Sequence, residues 1–203
     1  MRKISAKQII GPLLLFVLIF GLLVFPWPGW NALYGSYFRA LGEAAFSRTD
    51  DQRVVLFEPH SVQHGFSTLD TRMTLANRTL ADSSGHGLAK QTTLDTRSIG
   101  WMPTALTIAL ILATPIPWRQ RAWALLWGLL LIHAFILFSL QVWIWDESSA
   151  LSLLDVPPFL QTILDELKYT LITQLGVSFS MPPLIWILVS FRRKDFALLY
   201  AKS

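Results

Sequence analysis

The stretch that most constrains this chain runs from Ile99 to Trp145, IGWMPTALTIALILATPIPWRQRAWALLWGLLLIHAFILFSLQVWIW. Two apolar runs are separated only by Pro115, Ile116, Pro117 and the cluster Trp118-Arg119-Gln120-Arg121. Each run is long enough to cross, or nearly cross, a hydrocarbon core about 30 Å thick, and the two arginines between them are left on one side only. The pattern predicts a membrane helical hairpin over residues 99–145.

The flanking sequence extends that expectation. The 203 residues are 53% hydrophobic and 15% charged, with a mean hydropathy of +0.46, and the apolar residues fall in blocks. That balance is too apolar for an ordinary soluble domain. Residues 1–26 join a basic flank, Arg2, Lys3 and Lys7, to an apolar run from Ile9 to Phe25. Phe25-Pro26-Trp27-Pro28-Gly29-Trp30 follows in place of a small-x-small cleavage pattern, so an uncleaved first transmembrane helix is expected. Residues 169–203 hold a last apolar run and a basic tail beginning at Arg192-Arg193-Lys194, with Pro182-Pro183 expected to kink or break the helix. The expected fold class is therefore an α-helical polytopic membrane protein. It has four transmembrane helices, both termini cytoplasmic, and a small periplasmic β-containing element between the first two helices.

The segments between the spans have patterns of their own. Over 27–46, Trp30, Leu33, Tyr34, Tyr37, Phe38, Leu41 and Ala45 recur at helical spacing. This predicts an interfacial amphipathic helix, with Trp30, Tyr34, Tyr37, Phe38 and Leu41 as partner-contact residues; a core helix of the exterior domain is the competing reading. Residues 47–98 form a small β-rich domain, with a strand over Gln52 to Glu58 stopped by Pro59. Thr-Leu-Asp-Thr-Arg occurs twice, at Thr68 to Arg72 and at Thr93 to Arg97, around the turn-rich Asp82 to Gly87, which predicts a hairpin. Residues 146–168 read as a polar connection with a short interfacial helix.

Charge placement sets the orientation. The amino terminus, the Arg119/Arg121 turn and the tail from Arg192 hold nine Lys or Arg and one acid, whereas Asp146 to Lys168 holds five acids and one Lys. The positive-inside rule then puts residues 27–100 and 146–168 on the periplasmic side of a bacterial inner membrane. Nine Trp, many at the ends of the apolar runs, fit interfacial aromatic belts.

Candidate chemistry is sparse. His60 and His64 have the i, i+4 spacing of helical metal ligands, but Pro59 and Gly65 flank them and no third ligand is evident. They are at most weak metal candidates, and no metal or cofactor is expected. His133 lies within the apolar run and is the one intramembrane polar position to weigh. A neutral imidazole bonded to Thr170, Thr173, Gln174 or Ser178 of a neighbouring helix is the simpler reading. Asp70 and Asp95, matched in the repeated pentapeptide, would either meet as a carboxylate pair or take arginine partners, Arg72 and Arg97. The absence of Cys excludes a thiol nucleophile, and no Gly-x-Ser-x-Gly elbow supports a serine nucleophile. No Gly-rich phosphate loop and no basic, aromatic-interleaved stripe speaks for nucleotide or nucleic-acid binding.

Trp101-Met102-Pro103-Thr104-Ala105, Ala113 to Arg121 and Leu126 to Leu131, with the aromatic helix around Tyr34 and Tyr37, resemble the small membrane proteins found with exosortases. Exosortases are bacterial membrane transpeptidases that process proteins bearing a carboxy-terminal sorting signal and use Cys with Arg and His. With no Cys here, the resemblance implies an accessory role and transfers no catalytic residue. The expected function is a non-catalytic accessory or assembly subunit of an inner-membrane envelope system, in protein sorting or surface-polymer export. Its expected partners are the lipid bilayer and a membrane protein. The alternatives are a periplasm-facing membrane enzyme using His60, His64 and an acid such as Asp70, or a lipid-intermediate-binding protein with His133 lining the pocket.

Overall fold

The computed structural model describes residues 6–47, 53–64, 67–81, 87–150, 157–169 and 175–191. In chain order these form α1 (Ala6–Val24), α2 (Trp30–Phe46), β1 (Arg53–His64), β2 (Ser67–Ala81), β3 (Gly87–Leu94) and a π-helical turn (Arg97–Trp101). Helices α3 (Met102–Ala113), α4 (Trp118–Ala150), α5 (Pro158–Lys168) and α6 (Leu175–Ser190) follow. They group into two compact units.

This architecture corrects the expectation of four transmembrane helices. Among the described residues, one helix, Trp118–Ser149, is long and apolar enough to cross a membrane, with a mean hydropathy of 2.1. Ile10–Val24, Arg97–Ala113 and Phe179–Ser190 are apolar but shorter, at 10–17 residues. An apolar run is not the same length as the helix inside it. The run ends before Pro115, and the continuous helix Arg97–Ala113, π-helical turn included, keeps 17 residues. At a rise of roughly 1.5 Å per residue that is about 25 Å, short of a hydrocarbon core of about 30 Å. The helix of the last run is described over Leu175–Ser190, residues 170–174 lying outside the described residues, and it continues through Pro182 and Pro183 without ending there.

The sheet unit contains Pro26–Trp101 and Phe135–Val177. Its three strands are antiparallel in the order β1-β2-β3. Alternation buries Val55 and Phe57 on β1, Thr71, Met73, Leu75 and Asn77 on β2, and Leu94 on β3. Pro59 does not stop β1: the strand runs on to His64, with a register shift between Pro59 and Val62. A missing N–H is tolerated because β1 is an edge strand and the irregularity follows directly.

Helix α2 starts after Gly29, whose φ of 80° is a left-handed conformation favoured by glycine. Its buried face is Tyr34, Gly35, Phe38 and Gly42, the spacing of one helical stripe, and it packs on β1 and β2. Gly42 allows the close approach: a Cβ there would lie 3.0 Å from the Phe57 ring. Fully burying side chains such as Phe38, Met73 and Leu75, each 1% exposed, contributes about 1.5–3 kcal/mol apiece.

The helical unit contains Met1–Phe25, Met102–Ala134 and Ser178–Ser203. Small residues let its helices approach: Ala105 and Ala109 on α3 are fully buried, and a Cβ on Gly128 of α4 would lie 2.7 Å from Ile111 Cδ1. The Trp186 indole N–H donates to Thr114 Oγ1 at 2.6 Å, and the Gln120 amide donates to the Ser190 carbonyl at 2.9 Å. These two bonds fasten α6 to the Pro115–Pro117 turn and the start of α4. Leu13, Leu14 and Leu18 on α1, Trp123, Leu126, Trp127 and Leu130 on α4, and Leu188 on α6 stay exposed.

Candidate functional site

The two copies of Thr-Leu-Asp-Thr-Arg meet in the sheet unit. The β2–β3 register sets Thr71 opposite Leu94 and Arg72 opposite Thr93, so the copies run antiparallel through one another. The Asp70 carboxylate accepts from the Thr96 backbone N–H at 3.1 Å and from the Thr96 hydroxyl at 2.5 Å. From α2, Arg39 Nη1 reaches the Asp70 carbonyl and the Thr71 hydroxyl, both at 3.3 Å, while its Nη2 donates to Ser36 Oγ at 3.1 Å. A Cβ on Gly35 would lie 2.9 Å from Asp70 Oδ2, so glycine at this turn of α2 leaves room for the carboxylate.

Asp95 has a different task. Its carboxylate accepts from the N–H groups of Arg97 and Ser98 at 3.0 and 3.2 Å and from the Ser98 hydroxyl at 2.8 Å, capping the π-helical turn that leads into α3. Both aspartates thus take donors from the second repeat, Asp70 from Thr96 and Asp95 from Arg97, and Asp95 adds those of Ser98 just beyond it. Arg72 donates to His60 Nδ1 at 2.9 Å, not to a carboxylate.

That contact also bears on the metal reading. His60 and His64 lie on a strand, where positions four apart are separated by about 13 Å, too far for one ion. A guanidinium already occupies one His60 nitrogen and sets a positive charge beside it. Among the described residues no group of three or more His, Asp or Glu side chains is arranged to hold a metal. The turn Asp82 to His86 lies outside the described residues.

Of the five aromatic and apolar positions on α2, Tyr34 and Phe38 face inward, 8% and 1% exposed, and Trp30 is half-buried. Trp30 and Tyr34 pack against Trp101, with ring centroids 5.0 and 5.4 Å away. Leu41 is half-buried, and Tyr37 is 46% exposed beside the more exposed Leu33. The apolar stripe therefore serves mainly as the unit's own core. His133 donates Nδ1–H to the Leu129 carbonyl of its own helix at 2.7 Å. Thr170, Thr173 and Gln174 are outside the described residues, as is the side chain of Ser178.

Sequence reasoning overlooked Arg39, Thr96, Lys90 and Glu147. Glu147 is buried near the end of α4, ion-paired to Lys90 of β3 and accepting the Trp143 indole N–H at 3.2 Å. The doubled pentapeptide was a usable signal for Thr96, because an antiparallel repeat brings its own ends together. Nothing local marks Arg39 or Glu147.

A second feature lies in the helical unit: an apolar groove of about 780 Å³ between α1, α3, the Pro115–Pro117 turn and α6. His133 does not line it. No family model, curated protein or solved structure matches this chain.

Proposed function

We propose that this chain is a non-catalytic accessory or assembly subunit of a bacterial inner-membrane envelope system, held in the bilayer by α4. The observation that carries the reading is an exposed apolar stripe on that helix. Trp123, Leu126, Trp127, Leu130 and Phe138 are each 49–60% exposed and recur at helical spacing. From Trp118 to Phe138 the helix rises about 30 Å, the thickness of a hydrocarbon core. Such a surface is costly in water and at home in lipid. Arg119 and Arg121 at its start and Asp146 and Glu147 near its end favour a cytoplasmic beginning of α4, with residues 146–168 periplasmic.

The accessory role is supported by the use made of the polar residues. Asp70, Asp95, Arg39 and His60 are each tied into hydrogen bonds within the sheet unit, so none is held ready toward a substrate. Leu33 and Tyr37 of α2 and Leu56 of β1 remain exposed and offer a contact face for a membrane-protein partner. The exosortase resemblance points that partnership toward protein sorting.

Carbonate washing of membranes, followed by crosslinking and capture in mild detergent, tests the proposal. Retention in the washed membrane and one enriched membrane protein, reduced by Leu33→Glu with Tyr37→Glu, are expected. Release by carbonate, or a chain that stays monomeric and partnerless under crosslinking, counts against it.

A further inference from the structure

We propose that the groove between α1, α3 and α6 holds one acyl chain of an anionic phospholipid from the surrounding bilayer, with its headgroup at the Arg119–Arg121 turn. This rests on the membrane reading and adds to it a specific lipid site. At about 780 Å³ the groove lies within the roughly 300–1,000 Å³ typical of small-molecule sites. Leu13, Phe16, Leu110, Ala113 and Phe191 give it an apolar wall. Its polar lining, Thr114, Gln120 and Ser190, belongs to the Pro115–Pro117 turn region and the end of α6.

Most of those polar groups are already engaged. Thr114 Oγ1 accepts from Trp186 and donates to the Leu110 carbonyl at 2.7 Å, and the Gln120 amide holds the Ser190 carbonyl. Ser190 Oγ differs: the residue is 1% exposed and its hydroxyl has no hydrogen-bond partner. A buried hydroxyl without a partner costs free energy, and Ser190 is among the residues that line the groove, where an acceptor on an occupant would relieve that cost. Arg121 donates Nη2–H to the Thr114 carbonyl at 3.1 Å but leaves a buried Nε–H unpartnered, and Arg119, next to Gln120, is exposed.

An apolar wall, an unused donor and two cations at one turn call for an occupant with a chain, a carbonyl acceptor and a negative head. A diacyl phospholipid with an anionic headgroup has all three. A free phosphate would leave the apolar wall empty, and a polyprenyl phosphate has no ester carbonyl for Ser190. Basic pockets near the cytoplasmic membrane surface are suited to anionic headgroups on electrostatic grounds.

The test places the purified full chain in phosphatidylcholine vesicles with a trace of phosphatidylglycerol carrying a photoactivatable diazirine on one acyl chain. Crosslinks are expected on residues 10–16, 110–117 and 186–191. Unlabelled phosphatidylglycerol should compete about fivefold better than phosphatidylcholine. Ala113→Trp, which fills the groove, should lose most of the labelling, whereas Leu14→Trp on the exposed face of α1 should keep it. If Ala113→Trp does not fold, Arg119→Gln with Ser190→Ala is the second arm and should abolish the phosphatidylglycerol preference while crosslinks stay on the same residues. Labelling spread evenly over the exposed faces of α1 and α4 would overturn the site while leaving the membrane reading intact. Better competition by a polyprenyl phosphate would overturn the phospholipid assignment. A chain that never enters the vesicles would remove the membrane reading and this site together.

Discussion

Asp70 and Thr96 are joined twice, through the threonine's backbone N–H at 3.1 Å and its hydroxyl at 2.5 Å. The aspartate of the first Thr-Leu-Asp-Thr-Arg is thereby fixed to the threonine of the second, and Arg39 adds α2 to the same junction. Thr96 is 1% exposed, so its donors have no ready substitute in water.

Asp70→Ala should therefore destabilise the protein by about 2–3 kcal/mol, because it removes charge-assisted bonds and strands buried donors. Thr96→Val should cost about 1–2 kcal/mol, since the backbone N–H bond survives. A double-mutant cycle by urea titration, followed by tryptophan fluorescence, should show strong coupling between the two changes. Strictly additive losses would mean that the two residues do not act as a unit.

Gly42 and Phe57 offer a steric counterpart. A Cβ at Gly42 would stand 3.0 Å from two atoms of the Phe57 ring, so Gly42→Ala must push α2 away from β1 or turn a 3%-exposed ring. The expected cost is about 1–3 kcal/mol. Phe57→Leu alone also destabilises by leaving space, but added to Gly42→Ala it should recover part of the loss. Failure of the pair to do better than the sum of the singles in thermal unfolding would count against this packing account.

These cases show which signals were local. The stripe from Trp30 to Ala45 is a helix because its periodicity is carried by consecutive residues, yet the same stripe does not say whether it faces a partner or its own sheet. The doubled pentapeptide announced paired strands. Its two aspartates have different tasks because β3 ends at Leu94 and β2 does not end at Asp70, and strand ends depend on pairing. The span count failed for a related reason. Hydropathy reports apolar residues, whereas helix length depends on where the backbone leaves the helix, here before Pro115, so that Arg97–Ala113 keeps 17 residues. Glu147 was hidden because its partner, Lys90, lies on a strand far away in sequence.

Lys90 and Glu147 form an unequal pair, with side chains 48% and 6% exposed. Lys90→Ala leaves the buried carboxylate with weaker compensation, and because the lysine is half in solvent the loss should be about 1–2 kcal/mol. Glu147→Gln in the Lys90→Ala background removes the charge that needed compensating and should restore part of it. Emission from Trp143, whose indole donates to Glu147, is a local readout. If the double variant is less stable than Lys90→Ala, the glutamate's charge is needed for some other contact.

Thr114 and Trp186 test the environment of the helical unit. The hydroxyl accepts the indole N–H of α6 at 2.6 Å and donates its own O–H to the Leu110 carbonyl of α3 at 2.7 Å. Thr114→Val keeps the shape and removes both bonds; Thr114→Ser keeps the bonds. In water, leaving a buried indole N–H without an acceptor costs about 1–3 kcal/mol. In a bilayer the unfolded helices still find partners for their polar groups, and interhelical bonds average about 0.6 kcal/mol. With α4 in lipid, Thr114→Val should thus fall near the smaller figure when unfolding is measured in a bilayer mimic, and Thr114→Ser should match the parent. A loss of several kcal/mol from Thr114→Val would indicate that this contact holds the unit together far more tightly than a lipid environment requires, and would weaken the proposal that α4 lies in a bilayer.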